Sequence, residues 1–200
     1  MEINSSSLNH YIKIYKDILP KDTLPIFQKI CKEHFKYEPV GVVNSDNEGN
    51  VKIINDTNIR NVTSCRLSTL GEESFTNVHW CSYFLANIKF CLNLYIRQNI
   101  NSGIKYTIEN IDILKYEIGG HYEIHWDHGK HTPRTFSLIY LVNDDYEGGD
   151  LIFKTPDYKN TLKIEKKANT LLIWPSNFLY PHTVTPVTKG TRYSLVSWAL

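Results

Sequence analysis

The segment Gly119-Gly-His-Tyr-Glu-Ile-His-Trp-Asp-His-Gly-Lys-His131 can be folded in two ways, and the choice governs how the rest of the chain is read. As a helix it would set His121 and His125 on one face, four residues apart. That is the spacing of helical zinc sites, in which a glutamate base follows the first histidine. Here Tyr122 takes that position and Glu123 comes one place late. As a strand, the segment opens after a double glycine suited to a turn, and Tyr122, Ile124 and Trp126 alternate with His121, Glu123, His125 and Asp127. The strand reading uses every position. Residues two apart on a strand leave the same face about 7 Å apart, so His125 and Asp127 project together, and Trp126 between them points away, into core or scaffold.

Moving outward, the whole stretch from Thr107 consists of short β-rich runs separated by turn residues: Thr107 to Ile118, Tyr122 to Asp127, Thr135 to Val142, Asp150 to Lys154, Thr161 to Glu165, Thr170 to Trp174, Tyr180 to Val184 and Thr191 to Trp198. Such a succession predicts a sandwich or barrel. Upstream of Lys105 the pattern is mixed. A short strand at Tyr11 to Tyr15 precedes a helix that Asp22 caps and Pro25 opens, with Leu24, Phe27, Ile30, Cys31 and Phe35 on one side. Tyr37 to Val43 and Val51 to Ile54 predict a hairpin around the Asn44 to Asn50 turn. A longer helix is predicted over Glu72 to Gln98, with Phe75, Val78, Cys81, Leu85, Ile88, Leu92 and Tyr95 as its apolar stripe and Thr69 with Glu72 as a capping box. No repeat or linker interrupts the chain, so one domain is expected over 1–200, with 1–105 as support and 106–200 as the β core.

Composition narrows the function. The 200 residues carry 22 Lys plus Arg against 21 Asp plus Glu, and a formal charge of +1 gives no electrostatic reason to expect a nucleic-acid or membrane-surface partner. Cys31, Cys65, Cys81 and Cys91 lie 34, 16 and 10 positions apart, without a C-x-x-C pair, and read as reduced, mostly buried thiols. The start of the chain lacks the basic and apolar regions of a signal peptide. The longest apolar stretch, Tyr83 to Ile96, is broken by Asn87, Lys89 and Asn93 and is shorter than the ~20 residues a bilayer requires. A cytoplasmic protein without an appended targeting module is expected, and the abundance of Ile, Asn and Lys suggests an AT-rich viral or bacterial genome.

One imidazole and one carboxylate on a strand face call for a third ligand. Two histidines and a carboxylate would form the facial triad that leaves positions open on Fe(II). His182, in the late run Tyr180-Pro-His-Thr-Val, is the best candidate for the second imidazole, since a rolled sheet can return it to the first pair. Ten residues on, Arg192 and Ser194 would point the same way. A guanidinium beside a hydroxyl suits a small dicarboxylate, because the planar fork binds a carboxylate through two hydrogen bonds. His128 and His131 read as loop residues on the rim, and His121 as a cap of the strand entrance or a substrate contact. Trp174 and Trp198 read as core.

At these residues the chain resembles the 2-oxoglutarate-dependent dioxygenases, particularly their prolyl 4-hydroxylase-like branch. His125-Trp-Asp127, His182 and Arg192 are similar to the iron and cosubstrate motif. Tyr116 resembles the tyrosine that helps hold the cosubstrate, Gly119 and Gly120 match the glycine turn, and Arg134 to Asp150 and His182 to Trp198 follow the family pattern. The resemblance covers Tyr116 to Trp198 well and the first hundred residues loosely. Tyr140-Leu-Val-Asn143 has one residue more than the usual Tyr-Leu-Asn, which puts Tyr140 in doubt as a cosubstrate contact. Arg192 stands where collagen-type enzymes use lysine. The nucleic-acid demethylase branch is disfavoured, because Trp198 occupies the place of its second arginine.

The resemblance implies a mainly β (α+β) fold, a double-stranded β-helix of the jelly-roll, cupin-like type with N-terminal helices supporting one sheet. It implies that His125, Asp127 and His182 hold Fe(II) and act as the catalytic centre. Arg192, with Tyr116 and Ser194, would hold 2-oxoglutarate, and dioxygen and ascorbate would be the further requirements. The implied reaction is hydroxylation of an unactivated C–H, on a prolyl residue of a peptide or protein in the first instance. The alternatives are a small molecule or another amino-acid side chain as substrate, or a non-catalytic cupin-like binding module.

Overall fold

Alternation along Arg192–Ala199 sorts the interior into two. Tyr193, Leu195 and Ala199 join a buried cluster with Phe27, Phe84 and Leu92, whereas Val196 and Trp198 lie against a second cluster containing Leu114, Tyr116, Ile139, Phe153 and Leu172. A strand that feeds two cores from its two faces lies in a middle layer. The layers are helices, then a large sheet, then a smaller sheet.

The computed structural model describes residues 10–45, 51–68, 74–100 and 103–200. In chain order the elements are β1 (Lys13–Lys16), α1 (Thr23–Glu33), β2 (Glu38–Pro39), β3 (Val42–Ser45), β4 (Val51–Ile54), β5 (Arg60–Asn61), β6 (Thr63–Leu67), α2 (Phe75–Asn99), β7 (Ile108–Tyr116), β8 (His121–His125), β9 (Phe136–Leu141), β10 (Glu147–Gly148), β11 (Leu151–Lys154), β12 (Thr161–Lys163), β13 (Thr170–Pro175), β14 (His182–Val184), β15 (Val187–Lys189) and β16 (Arg192–Ala199). The large sheet has the order β1-β13-β9-β16-β7-β6-β2 and the small sheet β12-β11-β14-β8-β5, with β10 and β15 forming a two-stranded flap and β3 and β4 a hairpin. The strands pair antiparallel, and the two sheets face one another across the second cluster, giving a jelly roll.

Both helices cover the outer face of the large sheet. From α1, Phe27 and Cys31 are buried, and from α2, Trp80, Phe84, Ile88, Leu92 and Tyr95. Removing each large apolar side chain from water contributes about 1.5–3 kcal/mol, so this layer is a main source of stability. The α2 stripe differs from the predicted one at its start, where Phe75 is exposed. Ser74 caps the helix by accepting a hydrogen bond from the Asn77 N–H, while Thr69 and Glu72, the predicted capping box, lie outside the described residues, as do positions 46–50 of the hairpin turn. Asp22 stands at the start of α1 without a side-chain cap bond.

Four strands were not legible in the pattern: β5, β6, β10 and β15. Three of these have only two or three residues, too few to display alternation. Strands from the first hundred residues extend both sheets, β1, β2 and β6 the large one and β5 the small one. The N-terminal part is therefore woven into the β core as well as packed on it. The four cysteines are thiols and not disulfides, and three of them are buried. Among the described residues no helix is long and apolar enough to cross a membrane.

Candidate active site

The site forms where β8 and β14 run side by side. His125 lies opposite His182 in register, and their rings are 4.3 Å apart. The register then slips, because Val184 faces Tyr122, so three residues on β8 span two on β14. This bulge brings Tyr122 onto the same face as His125, where the rings stack at 3.6 Å and 22°. Strict alternation had assigned Tyr122 to the opposite face. His121 in turn points elsewhere, its ring nitrogens 3.0 Å from the Gly119 carbonyl and 3.1 Å from that of Asn58.

Asp127 lies just past the end of β8. Its backbone N–H and that of His128 donate to the Ser176 carbonyl at 3.2 and 3.0 Å, and Ser137 donates its hydroxyl to the Asp127 carboxylate at 2.6 Å. Ser176 Oγ, 2.8 Å from Ser137 Oγ, completes a small buried network. Asp127 Oδ1 is 3.8 Å from His125 Nε2, and Oδ2 is 3.6 Å from His182 Nε2. One ligand atom from each of the three lies within 4.8 Å of the others, a set that could hold a metal ion.

The histidines are preset as ligands. Nδ1 of His125 is 2.7 Å from the Glu123 carbonyl and Nδ1 of His182 is 3.1 Å from that of Tyr180. A hydrogen bond donated from Nδ1 leaves the Nε2 lone pair for the centre. Burial first, and the adjacent His182 second, push His125 down to about 3, which keeps its imidazole neutral near pH 7. For Asp127, burial opposes the charged form but is outweighed by His182, His125 and the Ser137 hydrogen bond, so its pKa lies below the ordinary carboxylate value.

These residues open on a small cavity of about 40 Å³ between the sheets, whose walls include Arg60, Tyr116, Tyr122, Ser137, Trp174 and Trp198. Arg192 starts β16, in register with Tyr116 of β7, and its guanidinium lies 4.7 Å from the Tyr116 ring centre. It is 0 % exposed, its Nη1 donates to Ser194 Oγ at 2.9 Å, and its Nε and Nη2 have no partner among the described residues. Gly149, at φ +58°, leaves room for this side chain, since a Cβ there would lie 3.0 Å from Arg192 Cδ. An unpaired buried guanidinium costs several kcal/mol, and an anion that accepts from the two free nitrogens relieves that cost. The donor set of His125, Asp127 and His182 and the orphaned Arg192 thus fit a divalent metal and a carboxylate ligand.

The described structure also settles the flanking residues. Tyr140 faces the helix-side core, its ring 5.0 Å from Phe84 and its hydroxyl donating to Asn169 Oδ1 at 3.0 Å, so it is not a cavity residue. Trp126 is 50 % exposed rather than core, because β8 ends at His125 and the outer face of the small sheet carries no described helix. Trp198 lines the cavity under Arg134, whose guanidinium is 3.6 Å from its ring. His128 lies on the rim, with Nδ1 2.8 Å from the Arg134 carbonyl.

Comparison with known proteins shows what this site resembles. The sequence profile of the 2OG-Fe(II) oxygenase superfamily matches residues 111–200. The chain is therefore similar to that superfamily over somewhat less than half of its length. A PKHD-type hydroxylase of Gloeothece citriformis is 35 % identical over 97 residues, covering 46 % of this chain and 42 % of the relative. Human prolyl 3-hydroxylase 2 is 38 % identical over 69 residues, 34 % of this chain and 10 % of that protein. The chain thus spans less than half the length of these curated relatives. Among solved structures, a Trichoplax adhaerens prolyl hydroxylase in complex with a hypoxia inducible factor peptide fragment aligns with TM-score 0.72 and 17 % identity over 97 % of this chain and 86 % of that one. A Pseudomonas putida prolyl-4-hydroxylase aligns with TM-score 0.66 and 21 % identity over 96 % and 94 %. At these identities the likeness is one of fold. Fe(II) and 2-oxoglutarate are the metal and cosubstrate of the superfamily, in keeping with the His-Asp-His set.

Sequence reasoning did not find Tyr122, Ser137, Ser176 or Arg60. A signal existed for Ser137, the one polar residue in the apolar run Phe136-Ser-Leu-Ile-Tyr-Leu141. The bulge that recruits Tyr122 leaves no mark in the residue pattern.

Proposed function

We propose that the chain is an Fe(II)- and 2-oxoglutarate-dependent hydroxylase acting on a prolyl residue of a peptide or protein. In this reading His125, Asp127 and His182 hold the metal, Arg192 pairs the far carboxylate of 2-oxoglutarate, and Tyr116 and Ser194 fix the guanidinium. The observation that carries it is the coexistence of a two-histidine, one-carboxylate set with a fully buried, half-unpaired Arg192 on the same β-roll. Residues 106–200 supply the metal and cosubstrate residues, and residues 1–105 support them and add Arg60 to the cavity wall.

The bound metal and cosubstrate supply the oxidation, in which one oxygen atom of dioxygen enters the substrate C–H and the other enters succinate as carbon dioxide leaves. The protein's own contribution is positional. Ser137 and the paired Ser176 keep the Asp127 carboxylate ionised and oriented, the Glu123 and Tyr180 carbonyls fix the imidazole tautomers, and Leu114, Ile139 and Val196 keep the inner end of the cavity apolar. Prolyl chemistry is supported by the PKHD-type and prolyl hydroxylase names of the relatives and by a fold neighbour solved with a peptide.

The test is incubation with Fe(II), 2-oxoglutarate and ascorbate, following succinate and the gain of one oxygen atom on proline in a peptide library by mass spectrometry. Succinate formation that disappears in His182→Ala is expected. No succinate from the wild type, or undiminished succinate from His182→Ala, contradicts the enzymatic reading. Oxygen gained only by free metabolites contradicts the prolyl one.

A further inference from the structure

An arginine other than Arg192 lines the cavity itself. Arg60 comes from β5, the edge strand of the small sheet, and lies in register with Tyr122 of β8. Its guanidinium sits 4.6 Å from the Tyr122 ring centre, and Tyr122 in turn stacks on His125, so Arg60 is tied to the metal-binding strand through one aromatic ring. Its Nη1 reaches the Gly41 carbonyl at 3.5 Å, at the limit of a hydrogen bond, and its Nε is buried without a partner among the described residues. Apart from Asp127, Arg60 is the one charged side chain on the cavity wall besides the histidines.

Charge balance gives this residue a use. A divalent metal, the Asp127 carboxylate, dianionic 2-oxoglutarate and Arg192 neutralise one another. Arg60 then remains, half-buried on the cavity wall, as a positive charge without an ion-pair partner among the described residues. A guanidinium with free donors pairs best with a carboxylate, through two parallel hydrogen bonds. The outward-facing side of the cavity is otherwise aromatic, with Tyr122 and Trp198, and offers no competing acid.

We infer that Arg60 is the substrate anchor of the cavity and takes a carboxylate of the substrate, selecting acidic prolyl substrates over basic ones. This rests on the hydroxylase reading above. The carboxylate can come from an acidic side chain near the proline or from a chain terminus at the proline itself.

The experiment measures binding rather than turnover. Wild type and variants are loaded with Mn(II) and N-oxalylglycine, an unreactive stand-in for the cosubstrate. Affinities are then read by fluorescence anisotropy for labelled proline peptides flanked by Asp and Glu, by Asn and Gln, or by Lys. Competition by N-acetyl-L-proline and by its amide forms a second arm. The wild type is expected to prefer the acidic peptide to the lysine peptide by about tenfold or more, as one charged pair implies. Arg60→Gln is expected to lose that preference, Arg60→Lys to keep part of it, and both to bind 2-oxoglutarate in calorimetry within about twofold of wild type, since they leave the Arg192 end intact. Competition by N-acetyl-L-proline well above that of its amide assigns the carboxylate to a chain terminus, no advantage of the acid over the amide assigns it to a side chain, and stronger competition by the amide overturns the inference. Equal binding of the three peptides by wild type, a preference that survives in Arg60→Gln, or loss of 2-oxoglutarate binding in both variants overturns the inference. A failure of the hydroxylase reading shows separately, as missing succinate.

Discussion

The inner arginine site, behind the Tyr116 wall of the cavity, and the outer one, on the wall itself, are built on different principles. At the inner site, Arg192 is fully buried, held by Ser194 and Tyr116 on neighbouring positions of regular strands, and shaped by a glycine in left-handed conformation. At the outer site, Arg60 comes from a two-residue edge strand and Tyr122 from a bulge, and the pair is held by ring stacking rather than by hydrogen bonds. The inner site has one geometry, fixed by close packing on all sides, as an invariant small dianion requires. The outer site uses edge and bulge positions, which can change without disturbing the sheets, as a role in setting substrate preference requires.

The largest effect should come from the inner site. Arg192→Met removes one partner of a buried charge pair, which costs about 2–5 kcal/mol of binding, so 2-oxoglutarate affinity in calorimetry should fall roughly thirtyfold or more. Because the guanidinium is half-unpaired without its ligand, the same substitution should leave the ligand-free protein as stable as wild type or more so in thermal melts. A variant that melts well below wild type, yet binds 2-oxoglutarate normally, would assign Arg192 to the scaffold instead.

A smaller effect is expected between the two sites, at the carboxylate ligand. Ser137→Ala deletes the 2.6 Å hydrogen bond to Asp127 and should weaken Fe(II) binding by about 10–100-fold. Iron affinity should fall while the affinity of the metal-loaded protein for 2-oxoglutarate stays close to wild type. If the cosubstrate is affected as much as the metal, the Ser137–Ser176 pair supports the whole cavity and not the ligand alone.

The same division separates what could be read from the residues and what could not. The β runs after Thr107 were legible because eight short apolar segments are punctuated by turn residues, and the three-residue cluster because His125 and Asp127 stand two residues apart, Asp127 just past the strand end, while His182 lies in a run that a rolled sheet returns. The doubt over Tyr140 was legible too, since one inserted residue turns a strand side chain to the other face, and Tyr140 packs on Phe84. Tyr122 was placed on the wrong face because a bulge suspends alternation, and Trp126 was expected in the core because alternation does not tell a covered sheet face from a bare one. Arg60 carried no signal at all. Its role depends on β5 pairing with β8 across sixty residues of sequence, a contact that local pattern does not encode.

The central claim is that His125, Asp127 and His182 together hold one Fe(II). Anaerobic equilibrium dialysis against Fe(II) in the presence of 2-oxoglutarate tests it directly, comparing wild type with an Asp127→Ala/His182→Ala double variant whose fold is checked by circular dichroism. One iron per chain in the wild type and none above background in a folded double variant is the predicted result. One iron per chain in both would contradict it.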